Sequence, residues 1–201
     1  MKKIRISLII EFLYVLNSLL LIFYIYLLNK SIFFLPSILK IKILSYKLGK
    51  ELYTIIKNFR ILFFGIIYLL FLLLITYLLL KYTKKLKNIE EIKENTVIEI
   101  ENANESFLPS YLGYFFVALS INDLQLLIIV FIIILIFVYK SQFAHFNPLL
   151  LLLGYKYYYY KIGNSKNLLI TKKILKKSEE VKISKLIRLN DFTFLDIEEK
   201  V

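Results

Sequence analysis

The stretch Leu124-Gln125-Leu126-Leu127-Ile128-Ile129-Val130-Phe131-Ile132-Ile133-Ile134-Leu135-Ile136-Phe137-Val138-Tyr139-Lys140 holds no charge until its last residue. Soon after come Phe146-Asn147-Pro148-Leu149-Leu150-Leu151-Leu152-Leu153-Gly154-Tyr155-Lys156 and four tyrosines, Tyr157 to Tyr160. The first run has the composition of a membrane helix. The second apolar step, Asn147 to Leu153, would rise only ~10 Å as a helix and cannot cross a bilayer. It reads as a shelf at the interface. The chain beyond Gly154 has β character: a strand from Tyr155 to Ile162, a turn at Gly163-Asn164-Ser165-Lys166, and a return strand from Asn167 to Thr171. A charged segment, Lys172 to Glu180, precedes a second hairpin, Val181 to Leu189 and Phe192 to Ile197, across Asn190-Asp191. A plain anchor needs none of this, so the layout suggests a device coupling the bilayer to the cytosol.

Working outward, three more apolar runs appear. Ile6 to Leu28 opens the chain, Ile61 to Leu80 is uncharged, and Phe107 to Ile121 is separated from the run at Leu124 to Tyr139 by Asn122-Asp123 alone. The last two read as one helical hairpin. Ile6 to Leu28 carries Glu11, lacks a small-x-small cleavage site and exceeds an ordinary signal-peptide core, so it reads as an uncleaved first helix. Between runs one and two, Leu44, Leu48, Leu52, Ile55, Ile56 and Phe59 form a helical stripe beside Lys47, Lys50 and Lys57, an amphipathic segment over 44–60. The expected fold is therefore a mainly α membrane protein with four transmembrane helices (about 6–28, 61–80, 107–121 and 124–139) and a small cytoplasmic β-rich C-terminal module. The transmembrane region is 1–146, including a cytoplasmic loop at 81–106, and the interfacial and β region is 147–201. Thr96 to Glu101 in that loop is strand-like and is expected to join the tail's sheet.

Composition agrees. The 201 residues are 59% hydrophobic, with mean hydropathy +0.67 and a formal charge of +12. The basic residues sort by side. Both termini inside the cytoplasm puts 20 of them inside and 7 outside, so the positive-inside rule favours that topology at the bacterial inner membrane. Positive loops then account for the charge, and no direct nucleic-acid partner is expected. There is no cysteine, no tryptophan and one histidine, His145. With no second His, Cys or acid near His145, and no phosphate-binding glycine loop or paired-carboxylate site, the sequence points to no metal, no cofactor and no enzyme activity.

The residues singled out fall in three groups. Glu11 shares a helical face with Tyr14 and Ser18, an intramembrane polar seam or a carboxylate paired with Lys2, Lys3 or Arg5 near the headgroups. Gly65 and Thr76 lie on one face of run two, and Ser110, Gly113 and Ser120 on one face of run three. These small residues suit close helix packing, within one bundle or between copies. Tyr157 and Tyr159, with Lys172, Lys173, Lys176 and Lys177, are candidates for facing a partner or lipid; an aromatic belt and a solvated basic face are the plainer readings.

The order of these elements resembles the KwaA family, the membrane component of the Kiwa anti-phage defence system. The features that carry the resemblance are the short double run from Phe107, Asn147-Pro148-Leu149 leading into Gly154-Tyr155-Lys156, Leu168-Leu169-Ile170-Thr171, and Ile187-Arg188-Leu189-Asn190-Asp191-Phe192. One departure is that Tyr157 to Tyr160 contain no acidic residue, where the family pattern has one soon after the Gly-Tyr-Lys step. The resemblance implies a four-helix membrane sensor and scaffold in the inner membrane, a homo-oligomer such as a tetramer, acting with a cytosolic effector protein of the same system. It carries over no catalytic residue. Two rival readings fit the same layout: a membrane protein conferring self-immunity to a bacteriocin, and a pore or transporter subunit. Glu11 alone speaks for the last.

Overall fold

A computed structural model describes residues 2–30, 50–85, 89–92, 96–140 and 147–197. His145 and residues 44–49 of the amphipathic segment lie outside the described residues. Helices α1 (Lys2–Lys30) and α2 (Lys50–Thr83) come first. Strands β1 (Ile89–Ile92) and β2 (Glu99–Asn102) follow, then helices α3 (Asn104–Ser120) and α4 (Leu124–Lys140). The tail holds a short helix α5 (Pro148–Leu152), strands β3 (Lys156–Ile162) and β4 (Ser165–Thr171), a 3-10 turn (Ser178–Glu180), and strands β5 (Ile183–Arg188) and β6 (Thr193–Asp196).

Two helices, not four, have the length and composition to cross a membrane: Leu8–Lys30 within α1 and Asn58–Thr83 within α2. Both helices lack proline, and their apolar side chains give the backbone no partner other than itself, so the continuous helical ladder is the favoured solution. The amphipathic residues from Lys50 onward are not a separate element; they run without a break into the apolar part of α2. Helices α3 and α4 have 17 residues each, about 25 Å at the helical rise, short of the ~30 Å hydrocarbon core. The first turns of α3 also have another use. Phe107 and Tyr111 pack into the core that the sheet shares with the helices. Apolar composition there serves protein packing, which a count of hydrophobic residues cannot tell from lipid contact.

Helix α1 is central and packs against α2, α3 and α4. Its Val15, Leu19, Ile22 and Tyr26 form one buried cluster with Ala118 and Ile121 after α3's midpoint, and Leu127 and Phe131 of α4. At one end of the bundle, Tyr26 Oη donates to the Asn122 carbonyl (3.3 Å) and Asn29 Nδ2 to the Leu119 carbonyl (3.0 Å). At the other end the sheet docks. There Ile10 and Tyr14 of α1, Leu80 of α2 and Tyr111 of α3 meet Tyr157, Leu168, Ile170, Ile187 and Leu195 of the strands. Tyr139, near the end of α4, stacks edge-on against Phe12 at 5.7 Å. The start of α1, the end of α2, the start of α3 and the end of α4 therefore share the sheet side.

The sheet has six strands in the order β1-β5-β6-β4-β3-β2. All pairings are antiparallel except β4 with β6, which run parallel with Leu168 opposite Thr193. It is larger than a C-terminal module. The segment between α2 and α3 supplies both edge strands, β1 against β5 and β2 against β3. The expected addition of a strand from Thr96–Glu101 is seen, as Glu99–Asn102. The two-residue loop Gly163-Asn164 joins β3 to β4, with Gly163 at φ 55°, a left-handed conformation suited to a primed hairpin turn. Alternation along β3 splits its tyrosines between two cores. Tyr157 points to the helices, whereas Tyr158 and Tyr160 join Leu169, Leu186 and Phe194 on the far face. Val97, Leu175 and Val181 cover that far face, so both sides of the sheet are buried.

Candidate functional site

The sheet is held to the helices around Tyr157. This side chain is fully buried, and every polar group on the residue is used. Its amide donates to Asn104 Oδ1 at the start of α3 (3.0 Å), and its carbonyl accepts from the Ala103 amide (2.9 Å). Its hydroxyl accepts from the Asn147 amide and donates to the Asn147 carbonyl, both at 3.0 Å. The Asn147 side chain in turn caps α5, with Oδ1 accepting from the Leu149 amide (2.9 Å), and Pro148 takes the first helical position. One tyrosine thus ties β3, the β2–α3 corner and α5 together. Burial pushes its phenol well above the usual range, against the lowering effect of its bond to Asn147. The hydroxyl therefore stays protonated and keeps donating at physiological pH.

Helix α5 explains why Asn147 needs such a partner. Leu149 is fully buried in a cluster with Leu21 of α1 and Leu72 of α2, and Leu150 is buried in the core shared with the sheet. The expected interfacial shelf is thus largely a plug whose leucines bury in protein. Leu152 alone stays broadly exposed, at 64%. The chain leaves the plug through Gly154 at φ 84°. Backbone this deep has no water to bond, so Tyr157 satisfies Asn147 where bulk solvent otherwise would. Among the described residues, Asn147 Nδ2 and Asn17 Oδ1 are buried polar atoms with no hydrogen-bond partner.

Glu11, Tyr14 and Ser18 are all buried. Tyr14 shares a hydrogen bond with Thr83 of α2 (3.2 Å). Ser18 Oγ donates to its own helix at the Val15 carbonyl (2.8 Å) and meets the Tyr111 hydroxyl of α3. Asn17, which sequence reasoning missed, donates to Thr76 Oγ1 at 2.7 Å. The signal was present: Asn17 lies three residues beyond Tyr14 in a run otherwise rich in leucine and isoleucine.

The small residues divide. Gly65 and Thr76 are buried in the bundle, and Thr76 packs α2 on α1 through Asn17. Gly113 and Ser120 are exposed; nothing lies within 4 Å of a β-carbon built on Gly113, and Ser120 Oγ donates back to the Phe116 carbonyl (2.6 Å). The side chain of Ser110 lies outside the described residues. On α3, then, the two described small residues face outward rather than into this bundle.

The tail candidates also divide. Tyr157 does not face a partner or lipid, because alternation along β3 places it in the central core. Tyr159 is half-buried between Phe107 (5.9 Å) and Lys166, whose Nζ sits 4.5 Å above its ring. Lys166 also pairs with Glu101 at 2.9 Å, pinning β2 to the hairpin and holding the Glu101 carboxyl below its usual range. Lys172, Lys176 and Lys177 are exposed and Lys173 is half-buried. Among the described residues no group of three or more His, Cys, Asp or Glu is placed to hold a metal ion.

A family model described as "Anti-phage protein KwaA" matches residues 10–195. No curated protein matches the chain, and no solved structure does. The matched residues take in most of α1, all of α2, the plug, the Tyr157 joint and nearly all of the sheet: the chain belongs to the KwaA family of anti-phage proteins.

Proposed function

We propose that this anti-phage protein is a membrane-embedded sensor and scaffold, acting with a separate cytosolic effector. In this reading α1 and α2 cross the bacterial inner membrane, both termini and the sheet lie in the cytoplasm, and the chain works without catalysis. The observation that carries the reading is the joint at Tyr157. The core beneath it contains residues of α1, α2, α3, α5 and four strands, so a tilt or shift of the spanning helices displaces the sheet with them. Close-packed cores transmit such strain instead of absorbing it. Bilayer thickness mismatch is worth fractions of a kcal/mol per Å for each span, which copies of the chain in an oligomer add together. The sheet side also gathers the basic helix ends Lys81, Lys85 and Lys140, as a cytoplasmic face does.

The test compares cells carrying this chain alone, its cytosolic partner alone, or both, challenged with phage, alongside co-purification of the two proteins in detergent. The sensor and scaffold reading expects protection only with both, and a stable complex. Protection by the chain alone would overturn it in favour of self-immunity. Ion flux through the purified chain in liposomes would revive the pore.

A further inference from the structure

We infer that the joint binds an internal water molecule, which bridges the Asn17 carboxamide of α1 to the Asn147 carboxamide at the head of α5. Asn17 Oδ1 and Asn147 Nδ2 are buried without a hydrogen-bond partner in the protein, on residues only 2% and 0% exposed. One is an acceptor and the other a donor. The neighbours of each carboxamide decide which end is left over. Thr76 Oγ1 donates to the Leu72 carbonyl (2.9 Å), so it accepts from the nitrogen of Asn17 (2.7 Å) and leaves the oxygen. The Leu149 amide can only donate, so it takes the oxygen of Asn147 (2.9 Å) and leaves the nitrogen. Turning the carboxamides over would set acceptor against acceptor at Thr76 and donor against donor at Leu149.

The fold puts these two groups in one layer. Asn17 is one helical turn before Leu21, and Thr76 one turn after Leu72. Leu149, whose amide Asn147 holds, packs in the cluster of Leu21 and Leu72. Three residues before Asn17, Tyr14 joins the core that contains Leu150 and Tyr157, and the Tyr157 hydroxyl holds both backbone groups of Asn147. Asn17 therefore lies between the two clusters that the start of α5 enters, and Asn147 stands at that start. A ligand there has to donate to Asn17 Oδ1, accept from Asn147 Nδ2 and be small enough for a packed core. A cation meets the oxygen of Asn17 but opposes the amide hydrogens of Asn147. An anion meets those hydrogens but opposes the oxygen. Water plays both parts. Buried polar groups in folded proteins are paired as a rule, through ordered water where protein atoms do not reach. Such a bridge is nearly as favourable as a direct bond.

The test uses the full chain in nanodiscs of deuterated lipid, labelled with carbon-13 and nitrogen-15 at asparagine. Magnetisation transfer from water to the side-chain amides is recorded by proton-detected solid-state NMR. Asn147→Ser, whose hydroxyl oxygen still caps α5, assigns the Asn147 signal by its loss. Asn164, exposed in the β3–β4 turn, sets the level for contact with bulk water. Transfer to Asn147 comparable with that at Asn164, falling severalfold in Asn17→Leu while Asn164 is unchanged, supports the inference. Asn17→Met takes the place of Asn17→Leu if that variant does not fold. No transfer to Asn147 in the unchanged chain overturns the inference. So does transfer undiminished by loss of the Asn17 carboxamide, the result if the Tyr157 hydroxyl relays exchange. A scalar coupling from Asn147 Nδ2 to the Asn17 carboxamide carbon overturns it as well, by showing a direct bond, as does an Asn17 signal that shifts when sodium replaces potassium, by showing a cation. The water site rests on the packing of the joint and not on the sensor reading, so the two fail separately.

Discussion

Changing Tyr157 to Phe removes one oxygen and leaves the ring in place. That oxygen serves two buried backbone groups, the amide and the carbonyl of Asn147, each at 3.0 Å. Asn147 is itself fully buried, so neither group gains water when the hydroxyl goes. An orphaned buried polar group costs about 1–3 kcal/mol, and two together put the expected loss at about 2–4 kcal/mol. For a chain of this size that is roughly 5–12 °C in the unfolding midpoint. Tyr158→Phe is the graded comparison: its hydroxyl serves one group, the Leu175 amide at 3.2 Å, so about half the loss is expected. Tyr159→Phe, at the half-buried rim, should cost less than ~1 kcal/mol. The assay is thermal unfolding of the full chain in nanodiscs, followed by circular dichroism. A Tyr157→Phe protein no less stable than Tyr159→Phe would refute the reasoning, because it would mean that Asn147 finds other partners and that Tyr157 is not the joint.

Other perturbations test the same geometry. Thr76→Val should cost about 1–2 kcal/mol by leaving Asn17 Nδ2 without its 2.7 Å partner, and the double change Asn17→Leu with Thr76→Val should recover most of it, since two apolar groups need no bond; chemical denaturation of the unchanged chain and the two variants in detergent measures this. Val97→Asp should destabilise by roughly 3 kcal/mol or more and Ile98→Asp by less than ~0.5, because Val97 is 5% and Ile98 64% exposed, and equal effects would contradict the buried far face. Burial raises the phenols of Tyr157 and Tyr160 above their unfolded value of about 10. A raised folded value stabilises fully below the unfolded one, and the benefit is lost as pH climbs above it. Alkaline titration should therefore show falling stability beyond pH ~10, with the last phenolate absorbance appearing together with unfolding.

Much of the sheet could be read in the chain because turns are written locally. Gly163-Asn164 and Asn190-Asp191 mark both hairpins, and Val97 with Ile100 marks the strand contributed from between the helices. The edge strand β1 was not legible: Ile89-Glu90-Glu91-Ile92 has no alternation, and its pairing with β5 depends on residues almost a hundred positions away. The count of spans misled for a physical reason. Phe107 and Tyr111 are as apolar as any lipid-facing pair, but they face the tyrosines of β3 and the core around them. The site was half visible. Helical spacing puts Glu11, Tyr14 and Ser18 on one face, and all three are buried, whereas the Tyr157–Asn147 bond leaves no trace in the sequence. It joins two residues that look ordinary in sequence, an Asn before Pro and one tyrosine among four, and only the path of α5 into the bundle brings them together.

The central claim is that α1, α2 and the sheet move as one body. Amide hydrogen exchange across β3 and β4, residues 156–171, tests it most directly, with the full chain in nanodiscs of short-chain and long-chain lipid. Coupling through Tyr157 predicts that exchange in these strands changes with bilayer thickness, and that Tyr157→Phe uncouples it. Exchange in the strands that stays constant while the ends of α1 and α2 respond to thickness would contradict the account.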